Sequence, residues 1–400
     1  MEENNIRWVA FQPLIGGCAI GAQRAFGSHP TAVLDYDGVG NSELYINYIN
    51  NIKGNNVPHF ILDGGAYSKS ETLKIGSWDA EELQNLDVVV GVPICAGLSS
   101  ANCASAGSDK AMGPDAVQNN NMLGMAEIVF NKLRPKVYIF ENAVKLSTAL
   151  GAPVRERLIK IANDNGYAVT LVKCDTLNHG LPQHRTRTFF IACKGDRAPL
   201  LTFEKSNAKL LEDVVYGTGD NEPYEVKFID CIVMKWLKKR FGDAWREELA
   251  KFGGPEGLAI HLGNGLDELI EMSETDKQRA YFSHIKAKVD SGKNYMSYAP
   301  GWLGPYKINS LYARSMGRFL HPTEERGYSL RECMRLMGMP DDFPILKKQA
   351  GMIGQNVPTT TAEYYCNQVY NILMDNVEYS DNRNILQDFL NADKIKTISL

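Results

Sequence analysis

The sequence has no long apolar run, no closely paired cysteines and little net charge, and each absence removes a class of protein. No hydrophobic stretch approaches the roughly 20 residues of a membrane-spanning helix, so no membrane partner is expected. The 8 cysteines (Cys18, Cys95, Cys103, Cys174, Cys193, Cys231, Cys333 and Cys366) form no CxxC pair, which argues against a disulfide framework or a zinc site. No metal is expected. The formal net charge of -4 gives no global signature of nucleic-acid binding, so such a partner would have to meet a local basic face. The opening residues "MEENNIRWVA" are acidic and polar and do not read as a secretory signal, which makes the cytoplasm the expected location. Internal repeats and low-complexity tracts are also missing.

What is present is a rhythm. "IRWVAF" (6–11), "TAVLDYD" (31–37), "HFILD" (59–63), "LDVVVGV" (86–92), "KVYIFEN" (136–142), "YAVTLVKC" (167–174) and "TRTFFIAC" (186–193) read as strands, several apolar almost throughout. Segments 122–135 and 143–166 carry apolar residues at helical spacing between them. The pattern predicts an α/β fold with a doubly wound, mostly parallel sheet, whose ligands bind at the carboxyl ends of the strands. The rhythm stops after about Lys194. Later helices are expected over 225–253, 329–340 and 359–375, the last with a Thr-rich start suited to capping.

Several strand ends carry chemistry. Cys95, in "VGVPICAGLS", follows the 86–92 strand and precedes small residues (97–108) suited to a mobile loop. A cysteine there is either a nucleophile or a small buried hydrophobe. Glu141 ends another strand, where a buried carboxylate needs a partner; it can be an acid, a helix cap or an ion-pair member. Arg185 and Arg187 share one strand face, placed to grip carbonyl or phosphate oxygens or to sit solvated. "LIGGCAIGAQRAFG" turns from the first strand into a helix through Gly16, Gly17 and Gly21, as a backbone approaching a cofactor does. Asp35 and Asp37 end the second strand, suited to ribose hydroxyls or to a plain turn.

Taken in order, these pieces resemble the cytosine-C5 DNA methyltransferases. "GVPICAGLS" is similar to that family's GGPPCQGFS segment, "FENAV" to its ENV motif and "GLPQHRTRTFFIA" to its QxRxR motif. "RFLHPTEERGYSLRECMRLMGMPDDF" (318–343) resembles its REaxRLQgFPddf segment, and "IGQNVPTTTAEY" (353–364) the motif that opens the last helix. The resemblance implies a class I methyltransferase-like Rossmann fold, a monomer acting on double-stranded DNA, and S-adenosylmethionine as methyl donor. It implies that Cys95 attacks C6 of a flipped cytosine, that neutral Glu141 donates to N3, that Arg187 holds O2, and that Arg185 supports the pocket. Donor contacts are implied for Phe11, Gly16, Gly17, Asp35, Asp63, Leu123, Gln355 and Asn356. Substrate contacts are implied for Pro93, Ser99, Asn142 and Gln183. Residues 1–195, completed by 349–380, become the catalytic and cofactor-binding domain; 196–348 a small target-recognition domain; 381–400 a tail. A bacterial or phage origin and a separate restriction nuclease are further implications.

The departures from the family pattern concentrate on the donor side. The aromatic that stacks on the adenine is replaced by Gln12 or displaced to Phe11, the first glycine is Leu14, and Pro13 stiffens the turn. The second proline of the nucleophile loop is Ile94, its glutamine is Ala96, the ENV valine is Ala143, and the arginine before N-x-L is Asn120. A competing expectation is therefore a hydroxymethyltransferase or similar enzyme adding a different one-carbon group, from an altered S-adenosyl donor or a reduced folate that gives 5-hydroxymethylcytosine. Two more distant readings are a catalytically silent DNA-binding relative and an enzyme with an RNA substrate. The basic stretch "MKWLKKRF" (234–241) is either a face for phosphate or a solvated helix face.

Overall fold

The computed structural model describes residues 5–37, 42–65, 78–99, 113–215, 228–245, 247–248, 259, 261–292, 308–311, 321, 324, 326–390 and 395–400. The expected strands all form: β1 (Trp8–Phe11), β2 (Ala32–Asp37), β3 (His59–Gly65), β4 (Val88–Gly91), β5 (Val137–Ala143), β6 (Tyr167–Asp175) and β7 (Thr186–Lys194). Two more follow near the C-terminus, β8 (Asn384–Asp388) and β9 (Lys396–Ser399). They make one 9-stranded sheet in the order β9-β8-β6-β7-β5-β4-β1-β2-β3. Neighbours are parallel except that β7 runs antiparallel to both β5 and β6, and β9 antiparallel to β8.

Side chains alternate between the two faces of a strand, and both faces here are covered. Trp8, Ala10, Val88, Val90, Val137 and Ile139 point into one core, shared with the helices Gly17–Phe26 and Thr359–Leu373. Val9, Phe11, Val89, Tyr138 and Phe140 point into the other, against the helices Val117–Ile128 and Ala152–Asp164. Burial on both sides is why these strands read as continuous apolar runs.

Beyond the sheet, the described residues of the helices Phe228–Phe241, Gly265–Glu271 and Asp276–Asp290 build a separate small core around Trp236, Trp245, Leu269 and Phe282.

Within 196–348, Leu201, Leu211 and Val215, and then Ile308 and Tyr328–Phe343, pack into the sheet's own core. Among the described residues the separate core spans Ile232–Ile285. Within 381–400, β8 pairs with β6 in parallel register, Leu386 opposite Leu171, and Ile385 is completely buried. The Thr-rich start of the last helix does not cap it, because Pro358 occupies the cap position and Thr359 Oγ1 instead donates to Gly338 O. The expected mobile segment 97–108 lies outside the described residues from 100 onward.

Burial of Ile385 predicts that Ile385→Ala lowers stability by about 2–5 kcal/mol, as a truncated core side chain does. Ile398, 49% exposed on β9, should stay within about 0.5 kcal/mol when cut to Ala. Equilibrium urea unfolding separates the two; equal small effects would make the segment a loose appendage.

Candidate active site

Cys95 lies in the loop that leaves β4, and that loop is held in place on several sides. The Cys95 carbonyl accepts from Leu98 N at 2.9 Å and Ser99 N at 2.8 Å, closing a tight turn after the thiol. Gly97 backs against Asn119, whose amide would be only 2.2 Å from any Cβ placed there. Asn142, at the end of β5, donates to Pro93 O at 3.3 Å and so ties the next strand to the loop. Cys95 itself is exposed, whereas Cys18, Cys174, Cys193, Cys333 and Cys366 are buried.

Register brings the second group alongside. In the antiparallel pairing of β5 with β7, Ala143 faces Arg187 and Glu141 faces Phe189, so Glu141 and Arg187 are diagonal neighbours on one face. Glu141 Oε1 lies 2.8 Å from Arg187 Nε, with only 8% of the Glu141 side chain exposed. This contact is a charge pair rather than an aligned hydrogen bond, and Oε1 keeps its hydrogen-bonding capacity unspent. Arg187 also donates to Thr186 O at 2.7 Å.

The Cys95 thiol feels all of these groups. Although the residue is exposed, protein crowding around the sulfur raises its pKa above the ordinary thiol value; Arg187 and Arg185 pull it down, and Glu141 pushes it up. One electrostatic neighbourhood therefore holds Cys95, Glu141, Arg185 and Arg187. A thiol and a carboxyl sharing one arginine suit addition of sulfur to an electron-poor ring whose far edge needs a proton.

Arg185 has a different task. It is 3% exposed and donates to Leu311 O at 2.9 Å, Gly354 O at 3.2 Å and Asn356 O at 2.8 Å. Burial, and to a lesser degree Arg187, pulls its pKa down, while Glu141 and Cys95 raise it. Its guanidinium thus clamps two distant segments, at Leu311 and at Gly354–Asn356, against the site. Asp175, missed in the sequence, accepts from Leu177 N at 3.0 Å and Arg185 N at 3.3 Å and pairs with His184, bracing the entry to β7. Gln183 and Asn142 are completely buried. Gln183 spends its amide on Leu336 O and Leu311 N, so both residues brace the site in this state rather than line it. Pro93 is buried and Ser99 half-buried beside the thiol.

Of the expected donor residues, Phe11, Gly16 and Gly17 lie at or just beyond the end of β1, Asp35 and Asp63 in β2 and β3, Leu123 in the helix Val117–Ile128, and Gln355 and Asn356 where the helix Ala350–Gln355 ends. Phe11 is fully buried and stacks on Tyr36 with ring centroids 5.4 Å apart, so it offers no face to an adenine. Gly16, at φ 95°, passes so close to the Tyr45 ring that a Cβ would meet it at 2.3 Å. Gly17 donates to Asn356 Oδ1 at 2.9 Å, which caps the helix Gly17–Phe26 from the far end of the chain. Asn356 also donates to Met339 Sδ and is 1% exposed. Asp35 is nearly buried; desolvation raises its pKa against the lowering effects of Ser42, the Tyr36 N–H and His59. Asp63 and Gln355 are exposed, and Leu123 is half-buried. Carboxylates at two adjacent strand ends beside a glycine turn fit a donor bearing ribose hydroxyls; the adenine-stacking place is not met by Phe11.

In the basic stretch at 234–241, Lys235 pairs with Glu274 and Arg240 with Glu268.

The model of the C-5 cytosine-specific DNA methylase family matches residues 65–371. The chain belongs to this family of DNA cytosine methyltransferases. It is 23% identical over 348 residues to the Type II methyltransferase M.DdeI of Desulfomicrobium norvegicum, covering 76% of each chain. It is 21% identical over 333 residues to M.FnuDI of Fusobacterium nucleatum, covering 77% of this chain and 85% of that one. Among solved structures, a protein described as a DNA modification methyltransferase encoded within an E. coli prophage superposes with a TM-score of 0.57 at 20% identity. That match covers 92% of this chain and 99% of the other, and it shows the shared fold, a class I methyltransferase-like sheet with flanking helices. No described helix is long and apolar enough to cross a membrane.

A thiol raised above its ordinary range reacts faster as pH rises. Alkylation of Cys95 by iodoacetamide, followed by peptide mass spectrometry, is expected to climb about tenfold per pH unit from 7 to 9, following the thiolate fraction. Glu141→Gln should speed alkylation at pH 8 and Arg187→Ala should slow it, since the first removes a raising charge and the second a lowering one. A plateau below pH 8 would contradict the assignment.

Proposed function

We propose that this chain transfers a methyl group from S-adenosylmethionine to C5 of a cytosine extruded from double-stranded DNA. The observation that carries the reading is the exposed residue Cys95 set in one charge cluster with the pair of buried Glu141 and half-buried Arg187. The Cys95 thiolate adds to C6 of the base, and that addition makes C5 nucleophilic. Glu141, whose Oε1 has no hydrogen bond to give up, offers a proton at N3 as negative charge builds in the ring. Arg187 turns part of its guanidinium to O2, and Arg185 holds the surrounding backbone still. After C5 has accepted the carbon and lost its proton, β-elimination releases Cys95. Extrusion costs a few kcal/mol of unstacking, which contacts to the flipped base offset.

Asp35, Asp63, Leu123, Gln355 and the Leu14–Gly17 turn hold S-adenosylmethionine in this reading. When bound, it supplies an activated methyl group. Residues around the separate core at Ile232–Ile285 read the DNA target, with the phosphate backbone supplying affinity. The protein acts as a cytoplasmic monomer, in a restriction-modification setting with a separate nuclease.

A second reading, transfer of another one-carbon group from a modified S-adenosyl donor or a reduced folate, is favoured by one finding. Phe11 is packed away against Tyr36, and Gln12 is turned inward with it. Nucleoside mass spectrometry of duplex DNA exposed to the enzyme decides the matter. Incubation with S-adenosylmethionine is expected to give 5-methylcytosine, and Cys95→Ser to give none while keeping the native circular dichroism spectrum. Duplex containing 5-fluorocytosine should trap Cys95 covalently in the presence of the same donor. A hydroxymethyl product formed only with a methylene folate would replace the first reading by the second, and normal turnover by Cys95→Ser would remove both.

A further inference from the structure

β1 and β4 are adjacent strands, and the loops that leave them are joined by one buried side chain. Asn121, 1% exposed, accepts from Ile94 N at 2.7 Å through Oδ1 and donates from Nδ2 to Gln12 Oε1 at 2.9 Å. Ile94 immediately precedes the nucleophile. Gln12 opens the turn that runs to Gly16 and Gly17.

Both ends of this bridge fall where the sequence departs from its family. A proline at 94 would have no N–H to give Asn121, and an aromatic at 12 would have no amide to receive it. Neither departure makes this bridge alone; together, with Asn121 between them, they do.

The arrangement is also costly to keep. Gln12 is completely buried with Nε2 unpartnered, so its desolvation is not repaid by a hydrogen bond. Gln12 and Leu14 both sit at positive φ, 52° and 54°, a conformation disfavoured for non-glycine residues. An apolar contact between the loops would avoid the first penalty. Retained strain and an orphaned polar atom at one place are grounds for seeking a role there.

We propose that Gln12 and Asn121 are positioning residues that couple occupancy of the donor side to the geometry of the nucleophile loop. A donor that fixes the turn from Leu14 to Gly17 also fixes Gln12. Asn121 then passes the constraint to the amide beside Cys95. Asn121 is suited to this because its helix, Val117–Ile128, is anchored by Met122 and Met125 in the core, so its side chain has little freedom to swing. Two hydrogen bonds in a dry environment make the link stiff. The same free energy must act in reverse, so ordering of the Cys95 loop by substrate tightens the donor by the same factor. The proposal rests on the S-adenosyl reading of the donor site given above.

Hydrogen exchange of the full chain, with S-adenosylhomocysteine as the probe, tests it. In the native protein, saturating probe is expected to slow exchange in the peptide 93–99 by about tenfold, within the usual range of coupling between sites. In Asn121→Ala and in Gln12→Asn the slowing should fall below about twofold on the same scale. The second variant is the milder one: asparagine tolerates left-handed backbone but is one methylene too short to reach Asn121. Both variants should still bind the probe by calorimetry and keep native exchange over Val137–Ala143. Slowing of native size in both variants would overturn the coupling. A native protein that binds the probe without slowing the loop would overturn the coupling alone, whereas one that fails to bind it removes the donor reading and the coupling together.

Discussion

The Glu141–Arg187 pair is the constraint around which the site is arranged. A carboxylate at the end of a central strand, with 8% of its side chain exposed, needs an opposite charge close by. That charge can come from Arg187 only because β7 runs antiparallel between β5 and β6, placing Arg187 opposite Ala143 on one side and Cys174 on the other. A parallel strand inserted there would carry its arginine to the other end of the sheet. The reversed strand is thus as much a part of the chemistry as the thiol.

Around the pair, the protein spends its polar side chains on holding backbone. Arg185 reaches three carbonyls from two distant segments, Gln183 bridges Leu336 and Leu311, and Asn142 anchors Pro93. Of the four groups in the charge cluster, Cys95 is exposed and Arg187 half-buried, while Glu141 and Arg185 are buried. A site built this way has few reactive groups and many supports, which suits a reaction needing sulfur, proton donor and ring aligned to a fraction of an ångström.

Much of this is legible in the residues. Strands covered on both faces leave continuous apolar runs, so β1 to β7 can be read directly, and strand-end motifs in a recognisable order point to Cys95, Glu141 and Arg187. Phe11 is misplaced by the motif for a reason the sequence contains: alternation along β1 puts it on the same face as Val9, inside the second core. The last strands escape notice because "NILQD" and "KTIS" are short and half polar, and pairing, of β8 with β6 and of β9 with β8, is what makes them strands. Asn121 and Asn356 are unreadable as links, since their partners lie far away along the chain. The run of asparagines at 119–121 does carry a signal, because asparagine is a poor helix former and two of these three are buried.

The cap on the first helix has a consequence for biogenesis. The helix Gly17–Phe26 is made long before the side chain that closes its amino end, which belongs to Asn356, 339 residues later. Its packing partner, Thr359–Leu373, emerges later still, and β8 comes after that. One face of the nascent sheet must therefore wait, uncovered, until Thr359–Leu373 has been made. During that interval the uncovered apolar surface is prone to association with other chains.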